Sequence, residues 1–436
     1  MRGVSVGGRG VARGGSAGVA ATGGWLTGGA GAPGNGRGTA GPFDEAQPAS
    51  TTETAIVSSA QPGRPCRTEK HYAADSAVSY PRRPVHAVKA LPFNRGEGVQ
   101  YWYRDQTGKT ELVCDGLAQR RQHVAVEPRT TFHAFSTTKP ITALAVLQLV
   151  AEGTVDLDRP LATYLPDIPY RNDATVRHLL THQGGLPNPL PLAWVHAAEA
   201  HHSFDAAAFL RRVLAANPKA GPAGRRSSYS NVGFLLLGHL IERVTGASYE
   251  RYVHERVLDV VGCSDASTGA YLGFALPNDG HASGYLRAWS MTGVFVRCTP
   301  DPARLRVREG AWIRYRPFHL DGAAYGGLKG NALGWAPLLS AIVTRDVRLL
   351  PSHLYDVYFA RQSLSSGVPT GHALSWFTGH HAGHAYLCHA GGGPGYGAEI
   401  RVYPALGAAS ALMTNTTILR DFRVLDRLDE RWLPAV

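Results

Sequence analysis

The spacing of apolar residues along the chain predicts two central helices and a hairpin. Residues 141–150 are a largely apolar run of helical length, and residues 232–238 form a second such run. Residues 101–104 and 111–114 are rich in aromatic and aliphatic side chains, as is typical of strands. Residues 107–108 lie between them and are typical of a turn, so the two segments are predicted to pair as a hairpin.

The C-terminal hundred or so residues, by the same patterning, predict further strands. Four segments are expected to join the hairpin in one antiparallel sheet: residues 374–377, 385–389, 399–403 and 409–414. Residues 419–432 place Phe422, Leu425 and Leu428 on one helical face, which would pack across that sheet. Residues 264–322 fit no recognisable period, and they are predicted to form an irregular lid that sets substrate choice.

Composition sets further limits. The chain has 436 residues, and its 44% apolar content supports a substantial core. Residues 1–75 are dominated by Gly, Ala, Ser, Thr and Pro, which predicts disorder. The formal charge is +11, but Arg and Lys are interleaved with acids, so no nucleic-acid partner is predicted. No run reaches the roughly 18 apolar residues of a membrane span. Glycines and Arg13 interrupt residues 11–26, so this stretch is a poor candidate for the apolar region of a signal sequence. Cytoplasmic and exported locations both stay open.

Cysteines and histidines give no metal-binding spacing. The cysteines show no C-x-x-C pair and are expected to be buried free thiols; they are Cys66, Cys114, Cys263, Cys298 and Cys388. Cys388 and its neighbour His389 should point to opposite faces of a strand. His380, His381 and His384 are predicted to lie in a polar turn rather than to bind a metal. We predict no metal and no cofactor.

Ser136 and Lys139 carry the first chemical signal. They form an S-x-x-K sequence directly before the apolar run at 141–150. A helix beginning at the serine would place both side chains on one face, at the i, i+3 spacing. A desolvated lysine can take the proton of a serine hydroxyl and so make it a nucleophile.

A second signal is Tyr229-Ser230-Asn231, which opens the apolar run at 232–238. A tyrosine beside a lysine can relay protons, since the nearby cation favours the phenolate. The Asn231 amide can donate to a substrate carbonyl and accept from Lys139. The alternative interpretation is a helix cap, a position that serine and asparagine favour.

The third signal is His389-Ala390-Gly391 followed by further glycines. Glycine lets a strand edge approach a ligand closely and supply an oxyanion donor. A glycine-rich hairpin turn is the alternative, and it explains the glycines but not the histidine.

The ordered set S-x-x-K, Y-x-N and H-x-G resembles the serine hydrolase superfamily of class C β-lactamases and penicillin-binding proteins. The resemblance extends over residues 85–430. Five further segments are similar to family patterns. Residues 143–153 resemble a helix of the family, and residues 155–160 resemble the "DLDDP" segment that follows it. Residues 164–166 match "YLP", residues 176–187 resemble "VRHLLTHTSGLP", and residues 237–246 resemble "LLGxIIExVTG".

The resemblance implies a role for each matching residue. Ser136 would be the nucleophile and Lys139 its base. Tyr229 would activate the deacylating water or return a proton to the leaving group, and Asn231 would orient substrate and lysine.

The resemblance also implies an oxyanion hole, formed by the backbone N–H groups of Ser136 and Gly392. Gly391 and His389 would help to bind and orient the substrate. His389 stands where lactamases of this class carry the lysine of K-T-G.

Two departures from the family pattern narrow the range of substrates, and a third concerns a helix cap. The stretch 188–189 reads Asn-Pro where class C lactamases carry a glutamine that binds the lactam side chain. His389 replaces a permanent cation with a group that is mostly neutral at pH 7. Both changes argue against efficient antibiotic hydrolysis. The family's "GGLxSTAxDLARF" aspartate is absent from residues 326–336, which predicts a weaker helix cap there.

The family's architecture implies an α+β, β-lactamase/transpeptidase-like fold, with an antiparallel sheet flanked by helices and a mostly helical lobe. The disordered segment at 1–75 would precede one catalytic domain at 76–436. Its α/β lobe would comprise about 76–140 and 326–436, and its helical lobe about 141–325. The cleft would lie between the lobes.

The function implied is a serine hydrolase that acts through an acyl-enzyme on a small ester, amide or D-amino-acid peptide. Two alternatives stay open: a catalytically weak penicillin-binding or sensor protein, and a true β-lactamase. The sequence leaves the acyl group, the leaving group and the oligomeric state open.

Overall fold

A computed structural model describes residues 97–170, 173–191, 193–277, 279–417 and 424–435. The N-terminal segment predicted at 1–75 lies outside the described residues, as do Cys66 and Phe422. The described chain mixes helices with antiparallel sheets, which confirms the predicted α+β class. The lobe boundaries stay a prediction.

The largest sheet has six strands, and every neighbouring pair in it is antiparallel. Its order is β13-β14-β15-β16-β1-β2. The strands are β1 (Val99–Arg104), β2 (Thr110–Asp115), β13 (Phe377–His381), β14 (His384–Gly393), β15 (Tyr396–Tyr403) and β16 (Ala408–Thr414). The predicted hairpin is therefore confirmed, and the late strands join it as expected. One strand prediction was shifted: Ser375 has a φ of 63°, a left-handed conformation that interrupts a strand, so β13 begins at Phe377.

Four smaller sheets complete the strand set. Three-stranded sheets have the orders β5-β12-β7 and β8-β10-β9, while β3 pairs with β4 and β6 with β11. Their strands are β3 (Leu117–Gln119), β4 (Val124–Ala125), β5 (Phe132–His133), β6 (Val195–Ala197), β7 (Leu272–Gly273), β8 (Tyr285–Arg287), β9 (Arg306–Glu309), β10 (Trp312–Tyr315), β11 (Phe318–Leu320) and β12 (Lys329–Gly330). The prediction that residues 264–322 are irregular was wrong, because this stretch holds five short strands and a helix. Its role as a lid stays a prediction.

Ten α-helices are present in the described part of the chain. They are α1 (Thr138–Ala151), α2 (Val176–Leu180), α3 (Ala206–Ala216), α4 (Asn231–Thr245), α5 (Tyr249–Val253), α6 (Met291–Arg297), α7 (Ala323–Gly326), α8 (Ala332–Val343), α9 (Ser352–Phe359) and α10 (Val424–Asp429). Helix α1 is buried from Thr138 through Leu149 and contacts α4, α5, α7 and α9. A helix that is apolar all round belongs in a core, which explains this central position.

The six-stranded sheet is covered on both faces. Trp102 of β1 belongs to the main core, on the face that α8 covers. Its neighbour Tyr101 points the other way and packs with Leu425 and Leu428 of α10. This alternation follows from the period of two along a strand, and it confirms that the last helix packs across the sheet.

The cap of α8 is stronger than the sequence suggested. Asn331 precedes the helix, and its side-chain oxygen accepts a hydrogen bond from the Gly334 amide at 2.9 Å. The same oxygen accepts from the Tyr271 amide at 3.1 Å. The expected weakening was therefore wrong, since asparagine is among the best N-cap residues.

Cysteine placement corrects another expectation. Cys263 is buried, but Cys114 and Cys388 are half-buried and Cys298 is exposed. The prediction of buried thiols is therefore confirmed for Cys263 and wrong for the other three. None of these four thiols forms a disulfide.

The predicted polar turn is shorter than expected, because His380 and His381 belong to β13 and His384 begins β14, so only Ala382 and Gly383 form the turn. Within the ranges that the structure describes, no cluster of three or more His, Cys, Asp or Glu side chains has a metal-binding arrangement. None of the described helices is both long and apolar enough to cross a membrane.

Lys329 of β12 is a buried amine whose burial predicts a pH-dependent stability. Its Nζ donates to the Phe274 carbonyl at 2.6 Å and lies 3.2 Å from His319 Nδ1. Burial lowers the pKa of Lys329 from 10.5 to about 7, although the Glu250 charge opposes the shift. Between these two pKa values the unfolded chain binds the proton and the folded chain does not. This group therefore makes stability rise as the pH increases.

We expect the Lys329→Met variant to lose this pH dependence. Between pH 7 and 9 the free energy of unfolding of the wild type should gain about 2 kcal/mol relative to the variant. Urea unfolding of both proteins at several pH values measures the difference. Parallel pH profiles would show that Lys329 carries its ordinary pKa in the folded protein.

Candidate active site

Ser136 lies in a strained turn between β5 and α1. Residues Phe135–Thr137 form a single 3-10 turn, and α1 begins after it at Thr138 rather than at the serine. Phe135 has a φ of 49°, which is unfavourable for a bulky residue. Its ring is buried against those of His133, Phe318 and Tyr396, and this packing holds the turn in place. The half-buried Ser136 is thereby held at the start of the central helix.

Lys139 lies one helical turn after Ser136, and its amine contacts the serine hydroxyl. Its Nζ lies 3.0 Å from Ser136 Oγ and donates to the Tyr325 carbonyl at 2.7 Å. The side chain is fully buried, and the rings of Tyr229, Phe234 and Tyr325 lie 4.9–5.4 Å from Nζ. Burial holds the pKa of Lys139 well below its usual 10.5. The amine is thus biased toward its neutral form, which can accept a proton.

Tyr229 reaches the same hydroxyl from the other side. Its OH donates to Ser136 Oγ at 2.9 Å. Burial raises the pKa of this phenol far above its usual 10, and the hydrogen bond to Ser136 only partly offsets that. Burial thus biases the resting Tyr229 toward the protonated phenol rather than the phenolate, and its relay role stays a prediction. Tyr229 is a proton donor here.

Asn231 is the first residue of α4, directly after the cap Ser230. Ser230 Oγ accepts from the Gly233 amide at 3.1 Å, so the cap interpretation also holds for this segment. The expected hydrogen bond from Lys139 to the Asn231 amide is not formed: Asn231 Oδ1 is buried without a partner. Its backbone N–H donates instead to Asn188 Oδ1 at 3.0 Å. Asn188, next to the Pro189 that departs from the family pattern, thus fixes the start of α4.

Strand β14 brings the third motif to the serine. A Cβ added to Gly391 would lie 2.1 Å from the Ala134 carbonyl oxygen and 3.0 Å from the Ser136 amide nitrogen. Only glycine allows this approach. Gly392 is the next residue of the strand and pairs with Gly397. The oxyanion role of Gly392 stays a prediction.

His389 lies on the same strand as a neutral ring. Its centroid is 6.4 Å from the Tyr229 ring, and its Nε2 is buried without a partner. Burial, with a smaller effect of Lys139, lowers the pKa of His389 to about 3. Cys388 next to it is paired with Arg401 in the strand register, whereas His389 is paired with Ile400. The two side chains therefore point to opposite faces, as the sequence predicts.

Sequence reasoning gave no role to His182, which contacts the tyrosine directly. Its ring centroid lies 4.3 Å from that of Tyr229, and its Nδ1 accepts from the Ser230 amide at 3.2 Å. His182 has a φ of 57°, and burial together with His372 keeps its pKa well below 6.5. The signal was present, since His182 lies in the segment similar to "VRHLLTHTSGLP". That likeness indicates family membership but not a contact with Tyr229.

The close approach of Gly391 predicts a specific loss. In a Gly391→Ala variant the new Cβ would meet the Ala134 carbonyl, so β14 must move away from Ser136. If β14 supplies an oxyanion donor, turnover should fall by about 100- to 1,000-fold. Steady-state ester hydrolysis measures this. Gly371→Ala is the matched control, because its Cβ would meet no atom within 4 Å. Equal activity of the two variants would contradict a role for this strand edge.

Comparison with known proteins identifies the family to which the chain belongs. A model of the Beta-lactamase family matches residues 86–431. Esterase EstB of Burkholderia gladioli is 30% identical over 70% of this chain and 82% of its own length. The penicillin-binding-protein relative PbpX of Bacillus subtilis (strain 168) is 26% identical, and the match spans 35% of this chain but only 36% of PbpX.

A solved structure shares the fold. The D-amino acid amidase of Ochrobactrum anthropi, complexed with L-phenylalanine, superposes with a TM-score of 0.63 at 23% identity. The superposition covers 78% of this chain and 95% of the amidase. The family match spans most of the chain and includes the serine, lysine, tyrosine and histidine described above. The chain therefore belongs to the Beta-lactamase family.

Proposed function

We propose that this protein is a serine hydrolase that cleaves small esters or amides through an acyl-enzyme on Ser136. The observation that carries the proposal is the double contact on one oxygen. Ser136 Oγ lies 3.0 Å from the Lys139 amine and 2.9 Å from the Tyr229 hydroxyl. A hydroxyl between a buried amine and a phenol has both a base and an acid within reach.

Acylation uses these three groups in order. Neutral Lys139 accepts the Ser136 proton as Oγ bonds to the substrate carbonyl carbon. The carbonyl oxygen becomes an oxyanion beside the backbone amides of Ser136 and Gly392. When the bond to the leaving group breaks, Tyr229 donates its proton to the departing alkoxide or amine, and the Lys139 ammonium returns a proton to the phenolate.

Deacylation repeats the sequence with water in place of serine. Lys139, with Tyr229 as relay, removes a proton from the water as its oxygen bonds to the acyl carbon. The bond to Ser136 Oγ then breaks, and the serine takes back its proton. The net reaction adds one water to the ester or amide and releases an acid with an alcohol or amine.

The electrostatics favour a substrate without a carboxylate near the scissile bond. His182 and His389 lie beside Tyr229, and the ring centroid of His372 lies 5.7 Å from that of His182. Burial lowers the pKa of each of these three histidines, that of His372 to about 4, so the rings are neutral. Neutral rings at these positions offer little to compensate the desolvation of an anion. The unpaired Asn231 Oδ1 is an acceptor for a substrate N–H, which fits an amide or an aminoacyl ester.

The names of the relatives agree with this class. One is an esterase, one solved neighbour is a D-amino acid amidase, and another relative is a penicillin-binding protein. At these sequence identities the relatives support a shared reaction, acyl transfer, but not a shared substrate. The acyl and leaving groups must therefore be determined by assay.

A matched substrate panel tests the proposal. It pairs a neutral p-nitrophenyl alkyl ester with the same ester bearing a terminal carboxylate, and adds a D-phenylalanine amide and a chromogenic cephalosporin. We expect steady-state turnover, with kcat/KM higher for the neutral ester than for its anionic partner. A stoichiometric burst without turnover would indicate a sensor-like protein. Fastest turnover of the cephalosporin would indicate a β-lactamase.

A further inference from the structure

Helix α6 presents an apolar face outward. Trp289 is 71% exposed, and Val294 and Phe295 are 43% and 44% exposed. Phe295 lies four residues after Met291, which is 80% exposed, so these side chains share one face of the helix. The opposite face is the one that packs on the protein: at Gly293 a Cβ would come within 2.0 Å of the Arg287 carbonyl. A surface helix ordinarily buries its apolar face, and this one does the reverse.

We call this surface the α6 patch; it consists of Trp289, Met291, Val294 and Phe295. Large apolar side chains scattered singly over a protein surface need no explanation, but four within seven residues form a cluster of the kind that marks an interaction site.

Arginines border the α6 patch. The Arg297 guanidinium lies 4.3 Å from the Trp289 ring centroid and that of Arg308 lies 5.3 Å from it. Residues 284–316 contain seven arginines but only two acidic residues.

Both of those acids are already engaged by other arginines. Asp301 pairs with Arg306 at 3.2 Å, and Glu309 pairs with Arg314 at 3.4 Å. The two arginines that border the α6 patch, Arg297 and Arg308, are therefore not neutralised by these two acids, and the rim is positive.

A combination of exposed aromatic and aliphatic side chains with a basic rim fits an anionic bilayer. Tryptophan favours the boundary between headgroups and acyl chains, and arginine can bind phosphate while its stem stays in the apolar layer. A short helix lying in the surface plane needs no membrane span. We propose that the α6 patch, with Arg297 and Arg308, is a docking surface for a membrane rich in anionic lipid.

A second copy of the chain fits the α6 patch less well. A two-fold contact sets the same surface against itself, so Arg297 and Arg308 would approach their own counterparts. Four side chains also cover less than the roughly 800 Å² per partner that a stable protein interface buries. Charge complementarity therefore favours lipid.

Vesicle sedimentation with the full chain tests this proposal independently of hydrolysis. Vesicles of phosphatidylcholine with phosphatidylglycerol at 7:3 are compared with pure phosphatidylcholine. We expect binding to the anionic vesicles that weakens with salt, and much less binding to the neutral ones. Absence of binding to the anionic vesicles at low salt would overturn the proposal.

Two double variants separate specific docking from the general attraction of a chain with a charge of +11. Trp289→Ala with Phe295→Ser should abolish most of the binding. Arg297→Gln with Arg308→Gln should weaken it by about fivefold for each arginine.

Matched controls remove equivalent groups elsewhere. Val347 and Val368 are 69% and 56% exposed, so Val347→Ser with Val368→Ser removes exposed apolar side chains outside the α6 patch. Arg212→Gln with Arg251→Gln removes two exposed charges. Equal losses in patch and control variants would overturn the proposal, as would a dimer that only the patch variants dissociate. Unchanged thermal unfolding midpoints keep the comparison free of folding defects.

Discussion

Replacing Ser136 with alanine should reduce ester hydrolysis by about 10⁴- to 10⁶-fold, to the level that binding alone sustains. The reason is that both proton-transfer groups converge on this one oxygen, with Lys139 Nζ 3.0 Å and Tyr229 OH 2.9 Å away. The substitution removes one oxygen atom from a half-buried site, so the fold should be retained. Steady-state kcat/KM on a p-nitrophenyl ester measures the effect.

The control for this variant is Ser203→Ala, which removes an exposed hydroxyl that donates to the Ala200 carbonyl. It should hydrolyse the ester at the wild-type rate. If Ser136→Ala retained a tenth or more of the activity, the nucleophile would have to be another group.

Replacing Lys139 with methionine should reduce kcat/KM nearly as much as replacing Ser136, because each residue of a catalytic unit depends on the others for activity. Methionine has a similar length but cannot accept a proton. The variant places an apolar side chain where a desolvated amine stood, so stability should not fall in the way that activity does. The Ser136→Ala/Lys139→Met double variant should be no slower than either single variant.

The pH dependence of kcat/KM tests whether the lost activity of Lys139→Met reflects the loss of the general base. Only the neutral amine accepts a proton, so kcat/KM should fall as the pH decreases through the pKa of Lys139. Burial places that pKa well below 10.5. His389 should not contribute above about pH 3, where its own pKa lies. The Lys139→Met variant should lack this acidic limb, whereas Lys219→Met, at an exposed lysine, should retain it. A limb that persists in Lys139→Met would assign the base elsewhere.

Much of the sheet could be predicted because its strands are long enough to show a period. The hairpin formed by β1 and β2, and the strands β14, β15 and β16, have six or more residues each. The short strands β5, β7 and β12 have two residues each and pair across distant parts of the chain. Two residues contain no period, so only tertiary structure reveals them.

Residues 264–322 contained a signal that could have been found. Strands β9 and β10 flank Gly310 and Ala311, and Gly310 has a φ of 59°. A glycine-containing two-residue turn between alternating segments is typical of a hairpin. The many arginines in these strands obscured the apolar alternation.

Within the site, the family resemblance placed Tyr229 and His389 near Ser136 but did not predict their protonation, and the expected contact between Lys139 and Asn231 is not formed. Spacing on α1 placed Lys139 beside Ser136, and the structure agrees. The charge state of Tyr229 depends on how deeply both groups are buried, which spacing does not encode. The contacts of Asn188 and His182 with the start of α4 likewise depend on how separate segments pack.

The central claim is that Ser136 becomes covalently acylated, and intact-protein mass spectrometry tests it most directly. The protein is incubated with a fluorophosphonate probe that reacts with activated serines, then digested and mapped. The account predicts one adduct per chain on the peptide that contains Ser136, formed far more slowly in Lys139→Met and absent in Ser136→Ala. An adduct on a different residue, or equal labelling of Ser136→Ala and wild type, would contradict it.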